Sequence, residues 1–138
     1  DLILGACRRV GVECRIIQRI AKIALSAEDM LDWYQGVSLQ VTASDMDGTP
    51  NPALESAACG NALLSTLIGN MVEFIEPEYN GLLVERTEGA LAEALAWCAK
   101  EHAYVLEMGA NARATVESAW TWAHKAPAVG AMWRAVLG

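Results

Sequence analysis

The sequence predicts an α/β protein, a parallel sheet flanked by helices and followed by a helical C-terminus. Three observations point there. Short apolar runs at Val37–Thr42, Ala62–Thr66 and Leu82–Glu85 have the length of strands and are bounded by turn-forming residues. Segments with helical character lie between them, so each strand–helix–strand unit is a crossover between parallel neighbours, right-handed by the general rule. From Thr87 onward the chain reads as helix alone, with Leu91, Leu95, Cys98 and His102 recurring at intervals of 4, 3 and 4 residues.

In chain order, Leu2 to Val10 reads as a helix or the tail of one, stopped by Gly11. Val12 to Ile17 then carries β-branched residues and reads as a strand. Ser26 suits the N-cap of a helix from Ala27 to Tyr34, and Glu28 and Asp29 complement its positive end. Trp33 and Tyr34 either pack beneath the following strand or stack against a bound group. That strand delivers the chain through Ala43-Ser44 to the stretch Asp45-Met46-Asp47-Gly48-Thr49-Pro50-Asn51-Pro52.

Here the chemistry concentrates. Pro52 suits the first position of a helix, because its φ is already helical and a missing N–H costs nothing there. Asn51 then falls at the N-cap, and Gly60 ends the helix as its C′ residue. A capping box would want its acid at position 54, which is Leu54, so Glu55 is not committed to capping. A strand entering a loop that opens a helix offers unpaired amides to an anion. Ligands of open parallel sheets bind outside the carboxyl ends of the strands. Asp47 and Glu55, spaced D-x7-E, would border that crevice. The plain alternative is that Asp47 is a turn residue and Glu55 a solvated one.

Beyond this helix come the strand Ala62–Thr66, a turn at Gly69-Asn70, and a short helix from Met71 to Ile75 carrying Glu73. A second turn, Tyr79-Asn80-Gly81, precedes the strand Leu82–Glu85. Thr87 caps the next helix, with Glu88 at its start. A further helix runs from about Tyr104 to Ala119. The last follows Trp120-Thr121-Trp122, is interrupted near Pro127 and ends at Leu137. Trp97, Trp120, Trp122 and Trp133 read as packing residues.

Composition bounds the function. A chain of 138 residues suits one domain with its own core. No stretch approaches the ~20 unbroken apolar residues of a membrane span. The first 23 residues carry Arg8, Arg9, Arg15, Arg19 and Lys22, unlike a secretory signal. A net charge of −7 argues against nucleic acid as the main partner. Cys7, Cys14, Cys59 and Cys98 lack C-x2-C spacing and a nearby histidine, so no metal site is expected. Reduced thiols in a cytoplasmic protein are the expectation. His102 and His124 read as surface or helix-end residues.

The run Asp47-Gly48-Thr49-Pro50-Asn51-Pro52-Ala53-Leu54-Glu55-Ser56-Ala57-Ala58-Cys59-Gly60 precedes Leu64-Ser65-Thr66, Gly69-Asn70, Glu73-Phe74-Ile75 and Asn80-Gly81-Leu82-Leu83-Val84. In this order the motifs resemble the nucleotide-sugar-binding half of a GT-B glycosyltransferase, more narrowly the retaining family 4, or glycosyltransferase group 1. That family's signature is E-x7-E, a helix, a strand, a G-G/N-x-x-E turn and an N-G-L-L-V strand. The likeness extends from about Ser26 to about Trp122.

The resemblance implies a Rossmann-like C-terminal domain, one half of a GT-B fold, over residues 1–138. Its strand–helix core would span 12–86 and its C-terminal helices 88–137. It implies a nucleoside-diphosphate sugar as donor and no metal. Glu55 would bind the ribose hydroxyls, and Asp47 would occupy the first acidic position, facing the donor sugar. Gly48, Thr49, Pro50, Asn51 and Leu54 would contact sugar and diphosphate. The acid of the Gly69–Glu73 turn would tie that loop down. Gln18 stands where the family has a glycine, and Arg15 and Arg19 are the basic residues suited to the diphosphate, outside any matching motif. No segment corresponds to the acceptor domain, so the chain reads as a truncated relative expected to be inactive alone, with a separate acceptor-domain chain or further copies of itself as the candidate partners. The competing expectation is a non-catalytic α/β module that self-associates through surfaces such as a stripe on the last helix.

Overall fold

The computed structural model describes residues 1–15 and 26–137. Its sheet has three parallel strands in the order β1 (Leu39–Thr42), β2 (Ala62–Thr66), β3 (Gly81–Val84). Register pairs Val41 with Leu64 and Leu64 with Leu82. Alternation along each strand therefore puts Leu39, Val41, Leu64, Leu82 and Val84 on one face and Leu63 and Leu83 on the other.

Each face has its own helices. The first packs against α1 (Leu2–Val10) and α5 (Glu88–Lys100), burying Ala6, Cys7, Leu91 and Leu95 with Leu64. The second packs against α3 (Asn51–Ala58), α4 (Met71–Phe74) and α6 (His102–Thr115), burying Ala53, Ala57, Met71, Phe74 and Ala112 with Leu63. Covered on both sides, β2 is buried at every position. Parallel strands clothed by helices on both faces read as unbroken apolar runs.

Local chemistry sets most of the boundaries. Asp1 caps α1 through the amides of Ile3 and Leu4, and α1 ends at Gly11. Ser26 and Asp29 form a reciprocal capping box on α2 (Ala27–Gln35). Those bonds from Ser26 hold the Asp29 carboxyl below the usual range. Thr87 caps α5 by accepting from the Ala90 amide.

Several expectations change. Residues 12–15 form no strand, and the remainder of the run to Ile17 lies outside the described residues, as do Gln18, Arg19 and Lys22. The 37–42 strand begins at Leu39 and the 82–85 strand spans Gly81–Val84, each shortened or shifted at its ends. His102 opens α6 instead of closing α5, because the chain breaks at Glu101. α6 ends at Thr115 and continues as a π-helical turn, Val116–Trp120. The final helix, α7 (Trp122–Leu137), passes through Pro127 without interruption.

Candidate functional site

The acidic stretch leaves the carboxyl end of β1 and enters α3, and the chain leaving β2 packs against it. Two hydrogen bonds fasten the two loops. The Asn70 amide donates to the Gly48 carbonyl (3.0 Å), and Asn70 Nδ2 donates to Thr49 Oγ1 (3.1 Å). Gly69 makes the approach possible. Its φ is +45°, and a Cβ there would overlap the carbonyl oxygens of Asp47 and Gly48. The resemblance gave the anchoring role to an acid, but Glu73 is exposed on α4 and Asn70 does the tying.

The start of α3 differs from the expected cap. Pro50 occupies the N-cap, no side chain caps the helix, and Asn51 is its first residue. Pro50 and Pro52 have no N–H to offer. The Asn51 amide turns back to the Thr49 carbonyl (2.8 Å), and the Ala53 amide donates to the Pro50 carbonyl (2.9 Å). The helix thus exposes almost no free donor of its own. In the preceding loop the amides of Asp47, Gly48 and Thr49 have no hydrogen-bond partner among the described residues. Any anion met here is met by the loop and by the helix dipole, not by the helix amides.

Asp47, Thr49, Pro50, Asn51 and Glu55 line one cleft of about 1140 Å³. Trp33 and Tyr34 from α2, Gln40 and Val41 from β1, and Arg15 also line it. Arg15 is exposed and donates to the Gly36 carbonyl (3.4 Å). Of the expected site residues, Gly48 and Leu54 do not line the cleft. Gly48 gives its carbonyl to Asn70, and Leu54 packs on the core beside Ala53 and Ala57. Cys7 and Cys14 also border the cleft, and burial, then Cys14 itself, pushes the Cys7 thiol up to about 11. All four cysteines are free, and the described residues hold no cluster of His, Cys, Asp and Glu with metal-binding geometry.

One pair went unforeseen. Tyr34, 3% exposed, donates its hydroxyl to Glu55 Oε2 at 2.8 Å. Burial and then the Glu55 carboxylate push the phenol well above its ordinary value. The Tyr34 carbonyl accepts from Asn61 Nδ2 (2.7 Å), which also donates to Ser56 Oγ (3.0 Å). The aromatic pair before β1 was the only signal for this; neither Asn61 nor Ser56 carried one.

A family model for glycosyl transferases group 1 matches residues 6–101. The chain is 29% identical over 111 residues to the lipopolysaccharide core biosynthesis mannosyltransferase LpcC of Rhizobium leguminosarum bv. viciae, covering 80% of this chain and 32% of that one. Sucrose-phosphate synthase from Thermosynechococcus elongatus superposes with a TM-score of 0.74 at 23% identity, over 98% of this chain and 33% of the other. HepE of Anabaena, solved with UDP-glucose, superposes with a TM-score of 0.62 at 20% identity, over 80% of this chain and 30% of the other. At such identities the structural likeness speaks for the fold. The chain spans about a third of the length of these relatives.

Proposed function

Since the chain belongs to the glycosyl transferases of group 1, we propose that it forms the donor side of glycosyl transfer, holding a nucleoside-diphosphate sugar at the carboxyl end of β1. The observation that carries this is the meeting of Asp47 and Glu55 on one cleft, with Thr49, Pro50 and Asn51 between them. HepE, solved with UDP-glucose, supports the same class of ligand.

In this reading Glu55 accepts from the ribose hydroxyls and Asp47 faces the donor sugar. Aspartate at position 47 is one methylene shorter than glutamate, so the sugar sits correspondingly closer to the loop. The free amide of Thr49 turns to the diphosphate, Gly48 holds the loop in place through its carbonyl, and Arg15 brings positive charge to the same cleft. Fixed donors aimed at the departing diphosphate stabilise the charge that develops as the glycosidic bond breaks. Leu54 contributes by seating α3 on the core. Transfer proceeds with retention and without a metal. With about a third of its relatives' length, the 138-residue chain by itself binds donor without transferring sugar, and residues outside it hold the acceptor.

A second reading, a non-catalytic module that self-associates, is favoured by one observation. Trp122, Met132, Trp133, Val136 and Leu137 of α7 are all more than half exposed.

Calorimetric titration with UDP, GDP and ADP, on the chain and on Glu55→Ala, tests the donor reading. One nucleotide is expected to bind, even if only near ~1 mM, which corresponds to about 4 kcal/mol. Glu55→Ala should weaken it at least about tenfold. Binding by none of the three, or equal binding by the variant, overturns it.

A further inference from the structure

We propose that Tyr34 is a positioning residue for Glu55: its buried phenol fixes the carboxylate so that Oε1 is presented to a ribose diol. The inference rests on the donor-site reading above and adds a residue to it.

A glutamate one turn into a helix and open to water samples many rotamers, and ordering it costs up to about 2 kcal/mol of side-chain entropy. Glu55 is such a residue by exposure, yet its Oε2 is already held at 2.8 Å by Tyr34. The holder is itself held. Its ring is buried, and its carbonyl is gripped by Asn61, whose side chain reaches Ser56 and whose backbone amide donates to the Ser56 carbonyl (3.2 Å). Ser56 follows Glu55 directly, so the donor and the acceptor of the Tyr34–Glu55 bond are anchored to the same turn of α3.

Two further features fit a binding carboxylate better than a structural one. Among the described residues no Lys or Arg forms an ion pair with Glu55, so its charge is not spent within the chain. Oε1 has no protein partner there either, while the phenol occupies Oε2. A carboxylate with one oxygen clamped and the other bare suits recognition of a vicinal diol. Most of its ordering is done before the ligand arrives, and preorganisation raises affinity.

The test is a double-mutant cycle, Tyr34→Phe against Glu55→Ala, read by calorimetry. The probes are UDP, GDP and ADP, each with its 2′-deoxy counterpart. Thermal melts establish that each variant is folded. Tyr34→Phe is expected to lose about tenfold in affinity for the nucleotide that binds, which corresponds to about 1.4 kcal/mol. It should also lose most of the preference for ribose over 2′-deoxyribose, and add nothing in the Glu55→Ala background. A general loosening of the fold would weaken both sugars alike and leave that preference intact. If Glu55→Ala abolishes binding while Tyr34→Phe keeps wild-type affinity and ribose preference, the positioning role is wrong and the donor site stands. If no nucleotide binds, or Glu55→Ala binds normally, the donor reading fails and this inference with it.

Discussion

Tyr34 sits where ionisation is opposed twice, by a buried ring environment and by the carboxylate that accepts its proton. The folded protein therefore binds the phenolic proton more tightly than the unfolded chain, whose value is near 10. This contribution to stability is intact below that value and is lost as the pH climbs past it. Melting temperatures measured from about pH 9 to 11.5 should fall more steeply for the wild type than for Tyr34→Phe, which has no proton to lose there. Parallel curves would show that the pair does not couple to folding. The residues of this pair were legible in the sequence, but the pairing was not. They lie 21 positions apart, and the direction of the phenol depends on how α2 docks. Neighbours in sequence mislead in the opposite sense. Leu54 and Glu55 are adjacent, yet a helix turns each residue about 100° from the last. One packs on the core while the other faces the cleft.

The turn between β2 and α4 is the element on which the acidic loop leans. Gly69 combines a left-handed φ with backbone contact to Asp47 and Gly48, so no other residue fits without moving the loop. Gly69→Ala should destabilise by about 2 kcal/mol or more in urea titrations. Gly48→Ala, with nothing within 4 Å of the added methyl, should stay within about 0.5 kcal/mol of wild type. Equal effects would remove Gly69 as the constraint. Elements with their own chemical punctuation were legible: Ser26 and Thr87 cap their helices, and β2 spans the apolar run Ala62–Thr66. The misses occur where tertiary context decides. Pro50 and Pro52 both suit a helix start, and the chain takes Pro50 as the cap, one residue earlier than expected. Residues 12–15 have strand-like composition without pairing to the described sheet. The π-helical turn brings Trp120 edge-on against Phe74, with centroids 5.2 Å apart, and Lys125 then covers the indole at 3.9 Å. Pro127 forfeits a bond to the Ala123 carbonyl on an exposed helix, where water can replace it.

At the scale of the whole molecule, stability is concentrated around β2 and fades toward α7. Strand β2 is buried throughout between two helical layers, whereas α7 buries no residue and docks mainly on the π-helical turn. Isolated helices of about this length are marginal in water. The stripe formed by Trp122, Val129, Met132, Trp133, Val136 and Leu137 follows one side of the helix, yet none of the described residues covers it. Hydrogen exchange followed by mass spectrometry should find the amides of α7 exchanging first and those of β2 last, separated by most of the global unfolding free energy. In the donor-half reading, this order stays the same when the protein is concentrated from about 1 to 100 μM, because the stripe is complementary to something other than a second copy. Protection of α7 that rises with concentration would give the stripe to self-association and favour the non-catalytic module. Protection equal to that of β2 at every concentration would mean that α7 is stable without a covering partner, and the exposed stripe would then say nothing about what else the chain meets.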